Sequence, residues 1–307
     1  MNRLPRIDVL IVTLCLPERA AALRRAVDSA LAQEGVRARV IVVVNGSRYD
    51  ATLFESLWRM PGVRVHYQSE ASIFLARRCA REHVSAPCFG FLDDDDYLLP
   101  GALRARAVAL ASDPAAVAVV ANGYLANGDV DEPVLRDIAE IRRDPLLSLM
   151  RSNWLATASA LFRTAAVPAE FFDTTIRSID MTYLAFRTTL AGRVLFLDVP
   201  TYRKTCSPDS ISLTDEWALP ALATLTKMLA FDMPAPVRRS LRRKCARAAH
   251  EISNIHRRRG EAGDAWRYHL RSLREPWGMF AYALYTRRLL FADRGERRRA
   301  PSAAHGP

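Results

Sequence analysis

The chain has no cysteine framework. Five cysteines (Cys15, Cys79, Cys88, Cys206 and Cys245) are scattered over 307 residues without a CxxC pair. That pattern excludes a disulfide scaffold and points to a reducing compartment, the cytoplasm. The six histidines include no HxH or HExxH, which argues against a zinc hydrolase of that kind. No apolar run reaches the roughly 18 residues of a membrane-spanning helix. The short apolar start, MNRLPRIDVLIVTL, lacks a small-residue cleavage site and reads as a first strand, not a signal peptide. There is no internal repeat and no low-complexity linker.

What is present is a globular composition, 50% hydrophobic and 25% charged. The length suits one large α/β domain with an appendage, or two ordinary domains. The net charge of +11 is placed unevenly. Residues 234–307 hold 18 Lys+Arg against 6 Asp+Glu, so the body is close to neutral and the tail carries the excess. A basic tail meets nucleic acid or an anionic membrane and says little about the body.

Residues 7–14 and 39–44 are β-branched runs of the kind buried on both faces of a sheet. Between them, 17–33 reads as a helix with Leu23, Ala26, Val27, Ala30 and Leu31 on one stripe. A helix at 50–60, a strand at 63–67, a helix at 72–84 and a strand at 88–92 follow. Strand–helix alternation predicts a mostly parallel sheet, with ligands beyond the carboxyl ends of its strands. Asn45 and the run Asp93-Asp94-Asp95-Asp96 both lie at such ends. Further on, the pattern predicts a helix at 101–112, a strand at 116–121, a polar stretch at 122–132 and a helix at 145–153. A strand at 159–162, a helix at 178–191 and a strand at 194–197 complete the body. Beyond about 217 only Arg-rich helices are expected, ending in a frayed tail. The expected division is 1–215 and 216–307.

Four consecutive carboxylates repel one another unless a cation compensates. A hard divalent ion with oxygen ligands is one solution, and it bridges nucleotide phosphates. Asp93 and Asp95 share a face if strand geometry continues. The other reading is a solvated acidic turn.

Four segments in order resemble the inverting, nucleotide-sugar-dependent glycosyltransferases of family 2. They are IDVLIVTLCLPERAAALRRAVDSALAQ, RVIVVVNGSRYD, LARRCAREHVSAPCFGFLDDDDYLLPGALRA and FFDTTIRSIDMTYLAFRTTLAGRVLFLDVPTYRKTCSPDSIS. The resemblance spans about residues 7–215. It implies the GT-A fold, Rossmann-like with a mostly parallel sheet flanked by helices, followed here by a helical, basic C-terminal extension. It implies nucleotide-sugar contacts at Thr13, Asn45, Arg77, Asp93, Asp94 and Asp95. It further implies a divalent metal, Mn²⁺ or Mg²⁺, at the DxD pair Asp93 and Asp95, and a general base at Asp180. The implied partners are a nucleotide-sugar donor and a glycan, polysaccharide or lipid-linked acceptor, with no nucleic acid.

Departures from the family pattern are visible. Leu14 and Cys15 stand where relatives carry Tyr and Asn, Asn45 replaces Asp, Ile179 replaces Glu, and Thr205 stands where many have His. Two other classes remain open at this point: a nucleic-acid-binding protein with Mg²⁺-dependent phosphodiester chemistry, and an inactive interaction protein that keeps the fold. The tail is also open between two readings. Its apolar, aromatic stretch 276–291 beside an Arg pair suits peripheral contact with the inner face of an anionic membrane, or packing with a solvated Arg face.

Overall fold

The computed structural model describes residues 4–127, 130–205 and 218–296. The chain forms two compact units, Met1–Ser210 and Ile211–Pro307. The boundary expected near 215 and the tail 297–307 lie outside the described residues.

The first unit opens with regular alternation: β1 (Arg6–Thr13), α1 (Ala20–Leu31), β2 (Arg37–Asn45), α2 (Ala51–Trp58), β3 (Val63–Gln68), α3 (Ile73–Glu82) and β4 (Cys88–Asp93). Then come β5 (Tyr97–Leu98), α4 (Ala102–Ser112), β6 (Ala116–Asn127), β7 (Val130–Pro133), α5 (Ile138–Arg143) and α6 (Pro145–Leu149). The unit ends with β8 (Ala160–Arg163), α7 (Asp180–Ala191) and β9 (Arg193–Thr205). Among the described residues the strands make one sheet in the order β3-β2-β1-β4-β8-β6-β9-β5, with β7 on β6. β1 is parallel to both β2 and β4, and β2 to β3; β6 and β9 are also parallel, and the remaining pairs are antiparallel.

Burial explains the central strands. Val40 through Val44 are inaccessible, as are Leu10 and Ile11, so these runs are covered on both faces. The predicted stripe of α1 is buried at Leu23, Ala26, Val27 and Ala30. Gly90 lets β8 cross beside β4, because a Cβ there would lie 2.6 Å from the Ala160 carbonyl oxygen. One buried carboxylate is structural: Asp8 takes Arg39 at 2.7 Å and the amides of Ser85 and Ala86, at the end of β1 opposite to Thr13.

Three expectations change. The polar stretch is strand over 122–127 and 130–132, because the buried Asn122 satisfies its amide on the backbone of Leu135, accepting from the amide and donating to the carbonyl at 2.9 Å each. The helix expected over 145–153 stops at Leu149; beyond it, Asn153 turns its carboxamide onto the Leu155 amide at 3.1 Å and favours a loop. The strand expected at 194–197 runs on to Thr205, crossing Pro200 where the register against β6 shifts.

The second unit holds α8 (Ala218–Met228), α9 (Ala235–Arg258), α10 (Ala262–Leu273), α11 (Pro276–Tyr282) and α12 (Tyr285–Glu296). Leu222, Ala249 and Ile252 form a core between α8 and α9. Ser253 donates to the Ala265 carbonyl at 2.6 Å and fastens α9 to α10. Arg239, Arg242, Arg243 and Arg247 of α9 stay exposed. Among the described residues no helix is long and apolar enough to cross a membrane.

Candidate active site

The parallel register brings the strand ends together. Thr13 is level with Val44 on β2, and Val12 with Asp93 on β4. Thr13, Asn45 and Asp93 therefore share one edge of the sheet, where α/β proteins bind ligands.

Strand geometry ends at Asp93, so the four aspartates do not alternate; each takes its own partner. Asp94 accepts from the Thr13 hydroxyl and from Arg19, both at 2.6 Å. Arg19 also reaches Asp95 at 2.8 Å. Asp96 accepts the Thr205 amide at 2.9 Å, and the Thr205 hydroxyl donates to the Asp95 carbonyl at 2.9 Å. Thr205 is thus a clasp on the aspartate turn. Arg25 donates to the same carbonyl at 2.9 Å and lies over the Tyr97 ring. The carboxylates of Asp93 and Asp95 keep accessible surface, 39% and 25%, whereas that of Asp94 keeps 10%.

Arg77 projects from α3, which is capped by Ser72. It ion-pairs with Asp180 and lies 3.9 Å from Asp93. Asp180 is the first residue of α7, but the cap position belongs to Ile179. Ile179 sits in the left-handed region at φ 51°, ψ 33°, a strained conformation for a β-branched residue. The Asp180 carboxylate is therefore spent on Arg77 rather than on capping. Apolar walls from Phe74, Phe171, Phe172 and Ile176 surround this pair.

The departures also find places. Leu14 is exposed, while Cys15 is buried at φ 55° and donates its amide to the Thr13 hydroxyl at 2.9 Å. Burial pushes the Cys15 thiol up to about 11, so it is an unreactive wall of the loop. The Asn45 carboxamide oxygen accepts the Ser72 amide at 2.9 Å, and its remaining polar group is a donor.

The electrostatics favour an added cation. Burial raises the pKa of Asp93; Arg77 and Thr157 oppose the rise, and Asp95 adds to it. Asp94 is raised by burial against the pull of Thr13 and Arg19. Asp96 is pushed up to about 8 by burial and the neighbouring Asp93. Burial works against the charge of Arg77, but Asp180 and then Asp93 outweigh it and the pKa rises. Two partly accessible carboxylates on one turn, Asp93 and Asp95, fit a hard divalent ion that would take its other ligands from phosphate and water. Among the described residues the one group of three potential ligands is elsewhere, at His256, Glu261 and Asp264 in the second unit.

The sequence reading missed Arg19, Thr157 and the clasping role of Thr205. Arg19 sits in a short 3-10 turn, Pro17–Arg19, ahead of α1, and looked like one more helix charge. Thr157 carries no local signal at all.

Residues 10–179 match the sequence model described as Glycosyl transferase family 2. A comparison with curated proteins gives no match. Among solved structures the chain is similar to S. aureus TarS residues 1–349 in complex with UDP-GlcNAc. The identity is 16% and the TM-score 0.59, over 84% of this chain and 75% of that one. The complex of the same fragment with UDP gives 16%, 0.57, 84% and 74%. At such identity the likeness concerns the fold.

Proposed function

The chain belongs to glycosyl transferase family 2, and on that premise we propose an inverting transfer of a sugar from a nucleotide-sugar donor to an acceptor hydroxyl. The supporting observation is that Arg77 ion-pairs with Asp180, 103 residues away in sequence, and also faces Asp93 of the aspartate turn. A base and a diphosphate site thereby belong to one site, and a single displacement would place the sugar between them.

In this reading Thr13 and Asn45 border the nucleoside, and Asn45 offers the base a donor. Asp94 is held by Thr13 and Arg19 and keeps the turn in shape. Asp93 and Asp95 would hold Mn²⁺ or Mg²⁺, which when bound offsets the charge of the leaving diphosphate. Arg77 supplies a second positive charge to that diphosphate. The same guanidinium holds Asp180 in an ion pair. A donor diphosphate competes for the guanidinium and releases Asp180 to accept the acceptor's proton. Attack opposite the leaving group inverts the anomeric centre.

The acceptor enters beside the β6–β7 pair and residues 153–154. They line a cleft of about 300 Å³ that includes Glu132, Arg136, Asn153, Ala156 and Lys204. Lys204 acts electrostatically on Asp93, so the cleft adjoins the aspartate turn. A glycan or lipid-linked acceptor in polysaccharide biosynthesis suits it. The basic second unit adds a peripheral contact with the inner face of an anionic membrane. A panel of nucleotide sugars, UDP-GlcNAc among them, tests the reading by Mn²⁺-dependent hydrolysis and thermal stabilisation. Absence of both with every donor overturns it.

A further inference from the structure

The helices α11 and α12 have two faces with opposite characters. The inward face is fully committed within the second unit. Gly278 lies so close to α10 and α9 that an added Cβ would sit 1.8 Å from the Ser272 carbonyl oxygen and 3.1 Å from the Ala246 methyl. Tyr282 stacks on His250, with centroids 3.9 Å apart and planes within 8°. Tyr285 and Leu289 are buried against Ala265. Gly278 and Tyr282 on α11 and Tyr285 and Leu289 on α12 are therefore all committed to packing within the second unit.

The outward face carries large apolar side chains that touch little. Phe280 is 92% exposed, Leu284 77% and Met279 57%, with Trp277 at the edge. Phe280 lies on α11 and Leu284 in the turn that joins it to α12, whose first turn carries Arg287 and Arg288, both exposed. Arg271 and Arg274 are exposed at the end of α10. The acid in this stretch, Glu275, faces Arg242 at 3.9 Å. By contrast, the apolar side of α9 is buried at Val237, Leu241, Ala246, Ala249 and Ile252. The basic helix 237–259, although part of the same charged tail, therefore has no apolar face to offer.

We propose that the outward face of α11–α12, with Phe280 and Leu284 as the inserted side chains and Arg287 and Arg288 beside them, docks the protein on an anionic lipid bilayer. Exposed apolar residues ringed by arginine match the two layers of such a surface. The rings and methyls enter the acyl boundary and the guanidinium groups stay at the headgroup phosphates. Each arginine near the surface adds a salt-sensitive increment, and the apolar contact adds one that salt leaves intact. The inference deepens the membrane part of the reading above and rests on none of its transfer chemistry. Donor hydrolysis in solution and vesicle binding therefore succeed or fail separately.

The test is sedimentation of the full chain with vesicles of phosphatidylcholine alone or mixed with phosphatidylglycerol. Binding is expected only with the anionic mixture, and it weakens in about 1 M salt, where screening lengths fall to about 3 Å. Phe280→Ser/Leu284→Ser and Arg287→Glu/Arg288→Glu should each lower the partition coefficient roughly tenfold or more. Their melting temperatures should stay unchanged, since these side chains are exposed. Equal binding by all variants, equal binding to neutral vesicles, or no binding to either would overturn the proposal. So would lipid-free self-association that Phe280→Ser/Leu284→Ser abolishes, because that outcome assigns the face to a second copy of the chain.

Discussion

Arg77 on α3 ion-pairs with Asp180 at the start of α7, and the same guanidinium stands 3.9 Å from Asp93 at the end of β4. One cation thus faces both the residue assigned as base and a residue assigned to the diphosphate site. Its burial makes the pairing consequential, because removing the guanidinium would leave Asp180 without its countercharge beside an apolar pocket.

Asp180→Asn keeps the side chain's shape and removes the proton acceptor. Transfer to acceptor should fall by about 10²-fold or more, while donor affinity should hold or rise, because Arg77 no longer has a charged Asp180 to release. Steady-state kinetics separates the two effects, and near-normal turnover would reject Asp180 as the base.

Arg77→Ala should weaken diphosphate binding and transfer together. Affinity for a nucleoside diphosphate is expected to drop about tenfold, consistent with the loss of one charge-assisted contact. Arg77→Lys keeps the charge without the two-sided fork, and should fall between the wild type and Arg77→Ala. Wild-type affinity in Arg77→Ala, measured by calorimetry, would confine the residue to a structural role.

Asp93→Ala/Asp95→Ala should abolish the Mn²⁺-dependent part of nucleoside diphosphate binding. The melt should change little, because both carboxylates are partly accessible and Asp94 retains Thr13 and Arg19. Titration of the nucleotide with and without EDTA reads the outcome. Metal-dependent binding that survives the double substitution would sink the assignment.

Away from the chemistry, Gly123 on β6 lies under the Tyr202 ring, and an added Cβ would come within 2.4 Å of it. Gly123→Ala should cost about 1–3 kcal/mol through overpacking. Tyr202→Phe removes a buried hydroxyl that has no hydrogen-bond partner among the described residues. It should be neutral or stabilising by up to about 1 kcal/mol. Denaturant melts of the two variants should therefore move apart, and a destabilised Tyr202→Phe would show that the hydroxyl is engaged.

The half of the fold legible in the sequence is the half with a simple period. β1, β2 and β4 are buried on both faces and declare themselves as β-branched runs, and α1 declares itself by its stripe. The second half of β6, β7 and the second half of β9 do not. Their polar and proline residues are accommodated by partners distant in the chain, as Asn122 is by Leu135. The same division runs through the site. Residue types alone placed Thr13, Asn45 and the aspartates at strand ends, because chain direction in a parallel sheet puts all carboxyl ends on one edge. Only the tertiary structure decided which aspartate faces which partner. The strand stops at Asp93 and the turn beyond it directs Asp94 and Asp95 to Arg19 and Asp96 to Thr205. Likewise, composition marked the second unit as basic and aromatic. It took the contact of Gly278 with Ser272 to settle which side of α11 is buried and to leave Phe280 in the open. A period in the sequence reports burial along one element, whereas a charge's partner depends on where separate elements meet.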